Sequence, residues 1–163
     1  MRIIWLFAAV FFAAWLQAAV LAQVDLLGAR PNLVLLGVLL AALTRGPVVG
    51  LLLATFGAAL MAPLSAAPGP VWFFAYFPAG LAAAIPEGAL NRQNPVVLVF
   101  LALGTAMLFD LIFFLGLSAA GWRLDIEPLL GARLLLDGIF NGLLAMPGAW
   151  LLRRLAAPEP AHR

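Results

Sequence analysis

Long apolar stretches, broken by short polar connections, follow one another along nearly the whole chain. They divide into six segments of helical length, covering residues 3–22, 31–44, 47–62, 71–85, 95–120 and 128–152. A helix needs about 20 residues to cross a hydrocarbon layer ~30 Å thick, so the second and third segments are short for a full span. The pattern predicts an all-α integral membrane protein with a single transmembrane domain of about six helices and a short basic tail over residues 153–163.

Proline residues mark where several of these helices are expected to begin. Pro31, Pro47 and Pro95 open the second, third and fifth segments. Proline is favoured at the first helical position because the backbone N–H there has no partner within the helix. Arg45 and Gly46 alone separate the second segment from the third, which predicts a tight helical hairpin.

Composition supports the membrane interpretation. Of the 163 residues, 66% are hydrophobic and 10% are charged, and the mean hydropathy is +1.11. Soluble domains have ~45–50% apolar and ~25% charged residues. A water-soluble globule of this size still exposes roughly a third of its surface, and this chain has too few polar residues to cover it.

The first segment has an alternative interpretation as a cleaved secretory signal. Its basic start, its apolar stretch and the Ala22–Gln23 junction fit a signal sequence with a cleavage site. The apolar stretch is long for a signal, however, and a hydrophobic hairpin follows closely. We therefore expect a retained membrane helix.

The distribution of arginine predicts the orientation, because cytoplasmic loops carry an excess of positive charge. With six spans and the N-terminus inside, Arg30 and Arg123 fall outside and Arg133 falls within the membrane. The other six are expected to be cytoplasmic: Arg2, Arg45, Arg92, Arg153, Arg154 and Arg163. Both termini should then be cytoplasmic. No block of basic residues indicates nucleic-acid binding.

Two residue types that carry much catalytic and metal chemistry are nearly missing. The chain has no cysteine, which excludes disulfides, thiolate catalysis and cysteine-based metal sites. The single histidine, His162, is next to the last residue. We therefore expect neither a metal nor a cofactor.

Charged and polar residues inside the last two segments are the most informative features. Arg133, Asp137 and Asn141 are spaced four residues apart and share one helical face. Asp110 and Asp137 lie at similar depths, ~15 Å from the outer ends of neighbouring segments. A charged side chain in mid-membrane costs ~2.5–3.5 kcal/mol on insertion scales, so these residues need partners. We therefore expect Asp110, Arg133, Asp137 and Asn141 to form one buried polar cluster. One of the two aspartates is expected to be neutral, because two acids face one base. We favour a structural role in fixing helix register over a ligand or partner-helix site, and over a proton relay or catalytic dyad.

Two carboxylates on adjacent helices are also a feature of intramembrane aspartyl hydrolases. The local sequences LFDLIF and LLDGIF lack the Asn-containing motif of lipoprotein signal peptidases and the Gly-x-Gly-Asp motif of other such proteases. A serine mechanism has only Ser65 and Ser118 to draw on. We predict a protein without enzymatic activity and without catalytic residues.

A row of small residues runs along the third segment. Gly46, Gly50, Ala54 and Ala58 recur every four residues, and such rows let helix backbones approach closely. Packing within the protein is the favoured interpretation, and an intermolecular contact is the alternative.

Residues 31–63, PNLVLLGVLLAALTRGPVVGLLLATFGAALMAP, resemble the MreD family of rod shape-determining membrane proteins. The resemblance lies in the Pro31-Asn32-Leu33 start, the Arg45-Gly46 turn and a third helix of Gly-x-x-x-Gly type. The length, the apolar first helix and the basic C-terminal end agree as well. One departure is Pro63, because MreD proteins commonly carry an acidic residue just after the third helix.

The resemblance implies a scaffold subunit of the cell-elongation complex in the bacterial inner membrane. Such a subunit contacts membrane lipid and an MreC-like bitopic protein. Through these contacts it connects RodA and the elongation transpeptidase to the cytoskeleton. The resemblance does not specify whether the protein forms a homo-oligomer. The resemblance also implies a bundle similar to the substrate-binding subunits of energy-coupling-factor transporters. The alternative function is therefore a small-molecule-binding transporter subunit, whose candidate ligand contacts are Asn32, Thr105, Asp110, Arg133, Asp137 and Asn141.

Overall fold

The computed structural model describes residues 3–19, 30–85, 94–123 and 133–156, with side chains up to Trp150. Within these ranges the chain forms helices and no strand, which confirms the all-α prediction for the described residues. The six α-helices are α1 (Ile3–Ala19), α2 (Leu33–Arg45), α3 (Pro47–Met61), α4 (Gly69–Leu81), α5 (Pro95–Ala119) and α6 (Leu134–Ala156). Short 3-10 turns, Ala62–Leu64 and Ala82–Ala84, follow α3 and α4.

The start of α2 differs from the prediction. Pro47 and Pro95 do open α3 and α5, but Pro31 lies outside α2, which begins at Leu33. The reason is the side chain of Asn32, whose Oδ1 accepts a hydrogen bond from the backbone nitrogen of Leu35 at 2.9 Å. An asparagine that caps in this way becomes the N-cap, and the residue before it is left outside the helix.

Several predicted positions lie outside the described residues. These are the end of the first segment, the start of the sixth, Arg2, Arg92, Arg163 and the tail beyond Ala156.

Helices α2 and α3 form the predicted hairpin, with their backbones in close contact. A Cβ built on Gly50 would lie 2.5 Å from the Cβ of Ala42, and one built on Gly57 would lie 2.6 Å from Cγ1 of Val34. Later residues of α3 thus meet earlier residues of α2, so the pair is antiparallel. Gly46, with a φ of 94°, makes the turn between them.

Helices α5 and α6 form the most extensive helix pair, and they are antiparallel too. Gly138 packs against Leu103 and Met107, whereas Gly142 packs one turn further along, against Val99. The absence of a side chain at both glycines lets the two backbones approach closely.

The remaining neighbours also alternate in direction. The side chain of Gln17 near the end of α1 reaches Val34 at the start of α2, and Trp72 near the start of α4 packs against Phe113 near the end of α5. One end of the bundle therefore gathers the C-terminal ends of α1, α3 and α5 and the N-terminal ends of α2, α4 and α6. We call it the cluster end.

Helix α2 forms the centre of the bundle, because α1, α3, α4 and α6 all contact it. Its buried residues point in every direction around the helix: Val34, Leu35, Leu36, Val38, Leu39, Leu40, Ala41 and Ala42. A helix that is apolar on all sides is buried in the core of a bundle.

The outer surface of the bundle is strongly apolar. Among the described residues, large hydrophobic side chains are exposed on every helix except the central α2, including Trp5, Val48, Phe74, Phe100 and Leu143. Two stretches in the described part of the chain, Pro47–Leu64 and Pro95–Ala119, are long and apolar enough to cross a membrane. Four further apolar helical stretches are shorter: Ile3–Ala19, Leu33–Arg45, Gly69–Ala84 and the part of α6 over Leu134–Trp150.

Candidate functional site

Polar side chains from three helices meet at the N-terminus of α2. The backbone nitrogen of Asn32 donates a hydrogen bond to Oδ1 of Asn141 at 3.0 Å. The hydroxyl of Tyr76 on α4 donates to Oδ1 of Asn32 at 3.3 Å, and Oε1 of Gln17 accepts a bond from the nitrogen of Val34 at 3.2 Å. The first N–H groups of a helix have no partner within it, so Asn141 and Gln17 satisfy two donors of a buried helix end. Tyr76 holds the side chain of the capping residue Asn32.

Asp137 connects this network to the two arginines of the site. Its Oδ1 accepts a hydrogen bond from the backbone nitrogen of Arg30 at 2.6 Å, and its Oδ2 lies 3.8 Å from Nε of Arg133. Asn141, one turn further along α6, donates from Nδ2 to the carbonyl oxygen of Asp137 at 2.7 Å. The i, i+4, i+8 face of α6 is therefore turned towards the N-terminus of α2.

Asp110 of α5 completes the cluster. Its carboxyl group adjoins that of Asp137 and interacts with the charge of Arg133. The Oδ2 atom of Asp110 is buried without a hydrogen-bond partner. The structure thus brings together all four residues that the sequence assigned to the polar cluster.

A cavity of about 370 Å³ lies beside this cluster. Asp110, Arg133 and Asp137 line one part of it, together with Gln17, Arg30, Asn32, Ser65 and Asn141. Aromatic rings form another part of the wall: Trp72, Phe109, Phe113 and Phe114. The cavity is therefore polar on one side and aromatic on the other, a combination typical of sites for small ligands.

Thr105 does not belong to this site. Its hydroxyl donates to carbonyl oxygens one turn back in its own helix, those of Leu101 at 2.8 Å and Ala102 at 3.1 Å, and it does not line the cavity. Of the six candidate ligand contacts named from the sequence, Thr105 is the one that does not line this cavity. A threonine hydroxyl in a helix commonly bonds its own backbone, which removes it as a contact for a ligand.

The small-residue row of α3 faces the inside of the bundle. Gly50, Ala54 and Ala58 are buried, and a Cβ on Gly50 would also lie 2.5 Å from the carbonyl oxygen of Gly80 on α4. Gly46 is not part of the packed row, because it precedes the helix and a Cβ there would meet nothing within 4 Å. Gly57 takes part in the packing instead.

Sequence reasoning missed several contributors. Tyr76 and Gln17 both join the network. Each is the only polar side chain in a long apolar stretch, and this isolation could have indicated that it has a buried polar partner. Gly138 and Gly142 make a second close helix contact, with α5. Their spacing of four residues could have predicted this contact from the sequence.

The described side chains of the site form hydrogen bonds and one ion pair that connect α1, α2, α4 and α6. Among the described residues, no group of three His, Cys, Asp or Glu side chains could hold a metal ion. No family model, curated protein or solved structure matches this chain.

Proposed function

We propose that the chain is a multi-pass protein of the bacterial inner membrane, embedded in lipid with its six helices, and that it acts there as a non-enzymatic scaffold subunit of MreD type. The observation that supports membrane integration is the arrangement of polarity. Large apolar side chains cover the outside, whereas Asn32, Asp137 and Asn141 are buried inside. A water-soluble fold would reverse this arrangement, since an exposed apolar surface of this extent drives association or membrane insertion.

The proposed orientation has both termini in the cytoplasm and the cluster end outside. Arg30, Arg123 and Arg133 belong to the cluster end, and Arg45 belongs to the opposite end. The cytoplasmic side carries the larger share of arginine when the whole sequence is counted, as the positive-inside rule requires.

In the scaffold role, the partner is an MreC-like bitopic protein, and through it RodA and the elongation transpeptidase. The small-residue row of α3 is occupied by contacts within the chain. The proposed contact therefore uses outward apolar faces, such as that of α1 with Trp5 and Phe12.

A cysteine scan tests this role, because the chain has no cysteine of its own and therefore no background. Single cysteines at the exposed positions Trp5, Phe12, Phe74, Phe100 and Leu143 would be combined with cysteines along the partner's transmembrane helix. The scaffold role predicts that one helix face crosslinks with helical periodicity and that deletion of the gene alters rod shape. Crosslinking at none of the positions, with normal cell shape after deletion, would overturn it.

The second candidate function is a substrate-binding subunit of a transporter of energy-coupling-factor type. The cavity beside Asp110 and Trp72 is the observation that favours it. Gene neighbourhood separates the two candidates: genes for MreB and MreC beside this one support the scaffold, and a pair of ATPase genes supports the transporter.

A further inference from the structure

Three buried polar side-chain atoms in the described residues have no hydrogen-bond partner: Nε1 of Trp72, Oδ2 of Asp110 and Nε of Arg133. They come from three different helix regions, yet all three residues line the same cavity of about 370 Å³. Buried polar atoms in folded proteins nearly always have partners, and clustered exceptions call for an explanation. An occupant of the cavity that supplies all three partners is such an explanation.

We propose that this cavity binds a small, flat molecule without net charge, which presents a hydrogen-bond acceptor to Trp72 and Arg133 and an N–H donor to Asp110. The inference goes beyond the scaffold role and does not depend on a protein partner. If the protein is a transporter subunit, the second candidate function, the proposal also names the class of its ligand, and in that case it rests on that function.

The aromatic wall selects for a flat molecule. The ring centroids of Trp72 and Phe113 are 4.7 Å apart with their planes at 63°. Phe109 and Phe113 are nearly parallel, at 12°, with centroids 5.8 Å apart. Such rings bind the faces and edges of other rings favourably. The volume lies near the low end of the ~300–1,000 Å³ of ligand pockets, which fits a molecule of one or two rings.

The charges around the cavity select for a ligand without net charge. Arg133 lies beside Asp137, and Asp110 adjoins Asp137. Two adjoining carboxyl groups away from water favour sharing one proton, which would leave one negative charge against the guanidinium of Arg133. Arg30 also acts on Asp137, but it is exposed, so solvent screens its charge. A charged ligand would bring an unbalanced charge into this site, which is costly away from water.

Several other polar groups of the wall already take part in hydrogen bonds within the chain, which makes the three unpartnered buried atoms the candidate ligand contacts. Asn32, Asn141 and Asp137 bond to one another or to neighbouring backbone, and Ser65 accepts a bond from the nitrogen of Ala67 at 3.0 Å. Three groups remain for the ligand: an N–H donor on Trp72, an N–H donor on Arg133 and a carboxyl oxygen on Asp110. A lactam, which carries C=O and N–H side by side on a ring, offers the complementary groups.

The test uses two probes with the full-length protein in lipid nanodiscs. 2-Quinolinone carries the adjacent C=O and N–H, and N-methyl-2-quinolinone has the same ring without the N–H. We expect saturable binding of 2-quinolinone in calorimetric titration, and about three- to tenfold weaker binding of the methylated probe, as the loss of one hydrogen bond implies. Absence of binding by both probes, or equal affinity for them, would overturn the proposal without altering the scaffold assignment.

Two variants locate the binding. Trp72→Phe keeps the ring and removes the donor, so 2-quinolinone should bind about three- to tenfold more weakly. The matched control is Trp15→Phe, because Trp15 is exposed on α1 and lies outside the cavity. In Asp110→Leu, the preference for the N–H over the methylated probe should disappear. If Trp72→Phe and Asp110→Leu keep the affinity and the preference of the original protein, the probe binds elsewhere and the assigned site is wrong.

Discussion

The side chain of Asn141 on α6 accepts a hydrogen bond from the backbone nitrogen of Asn32, which stands 109 residues earlier and caps α2. The N–H groups at the start of a helix must find partners outside it when the helix end is buried. Asn141 is 1% exposed, so this bond is shielded from bulk water. This bond connects the last helix of the bundle to its central one.

Replacing Asn141 should therefore destabilise the bundle. Asn141→Ala leaves the nitrogen of Asn32 without a partner, and we expect a loss of ~1–3 kcal/mol in the free energy of unfolding in mild detergent. Leu143→Ala is the control, because Leu143 lies on the same helix and is 57% exposed. An equal effect of the two substitutions would show that the bond contributes nothing to stability.

The close contact between α3 and α4 predicts a sharp difference between two glycines. A Cβ on Gly50 would lie 2.5 Å from a backbone oxygen, whereas one on Gly104 of α5 would meet nothing within 4 Å. Gly50→Ala should cost ~1–3 kcal/mol through overpacking, and Gly104→Ala should cost nothing measurable. Thermal unfolding of both purified variants checks this. Comparable melting temperatures would contradict the packing described for α3.

The charge balance of the polar cluster predicts a rescue. Arg133→Ala leaves two adjoining carboxyl groups without their counter-ion and should lower expression and stability more than Arg123→Ala, which alters an exposed arginine. Removing one member of a fully buried pair costs ~3–5 kcal/mol; the loss here should be smaller, because Arg133 is 37% exposed. Adding Asp110→Asn and Asp137→Asn should restore part of the loss, since neutral amides can bond to each other.

The behaviour of that triple variant separates the roles of the cluster. Rescue of folding together with rod shape supports a structural role. A triple variant that folds well and has no function in the cell would make the cluster a binding or reaction site.

The proposed topology can be checked with reporter fusions. Fusions after Arg45 and Arg154 should be active only with a cytoplasmic reporter, and fusions after Gly69 and Asp125 only with a periplasmic one. The reason is the alternating direction of consecutive helices combined with the positive-inside rule. A periplasmic C-terminus would contradict a count of six spans.

Local sequence signals predicted much of the helical architecture. The apolar stretches indicated helices whose cores agree with α1 to α6, because hydropathy and proline act within a few residues of chain. Four-residue spacing also indicated that Arg133, Asp137 and Asn141 share a face. The same rules misjudged Pro31, which lies two residues before α2, and Gly46, which lies one residue before α3. The choice of the capping residue depends on individual hydrogen bonds.

By itself, the sequence determined that the described chain is helical and which faces of α6 are polar, because these properties follow from neighbours along one helix. Only the tertiary structure decided that Asn141 meets Asn32, that Gly50 meets Gly80 and that Trp72 and Asp110 line one cavity. Those contacts join residues on different helices, and no periodicity within a single helix specifies how it is rotated against its neighbours. Close packing of small residues and the satisfaction of buried polar groups decide that rotation.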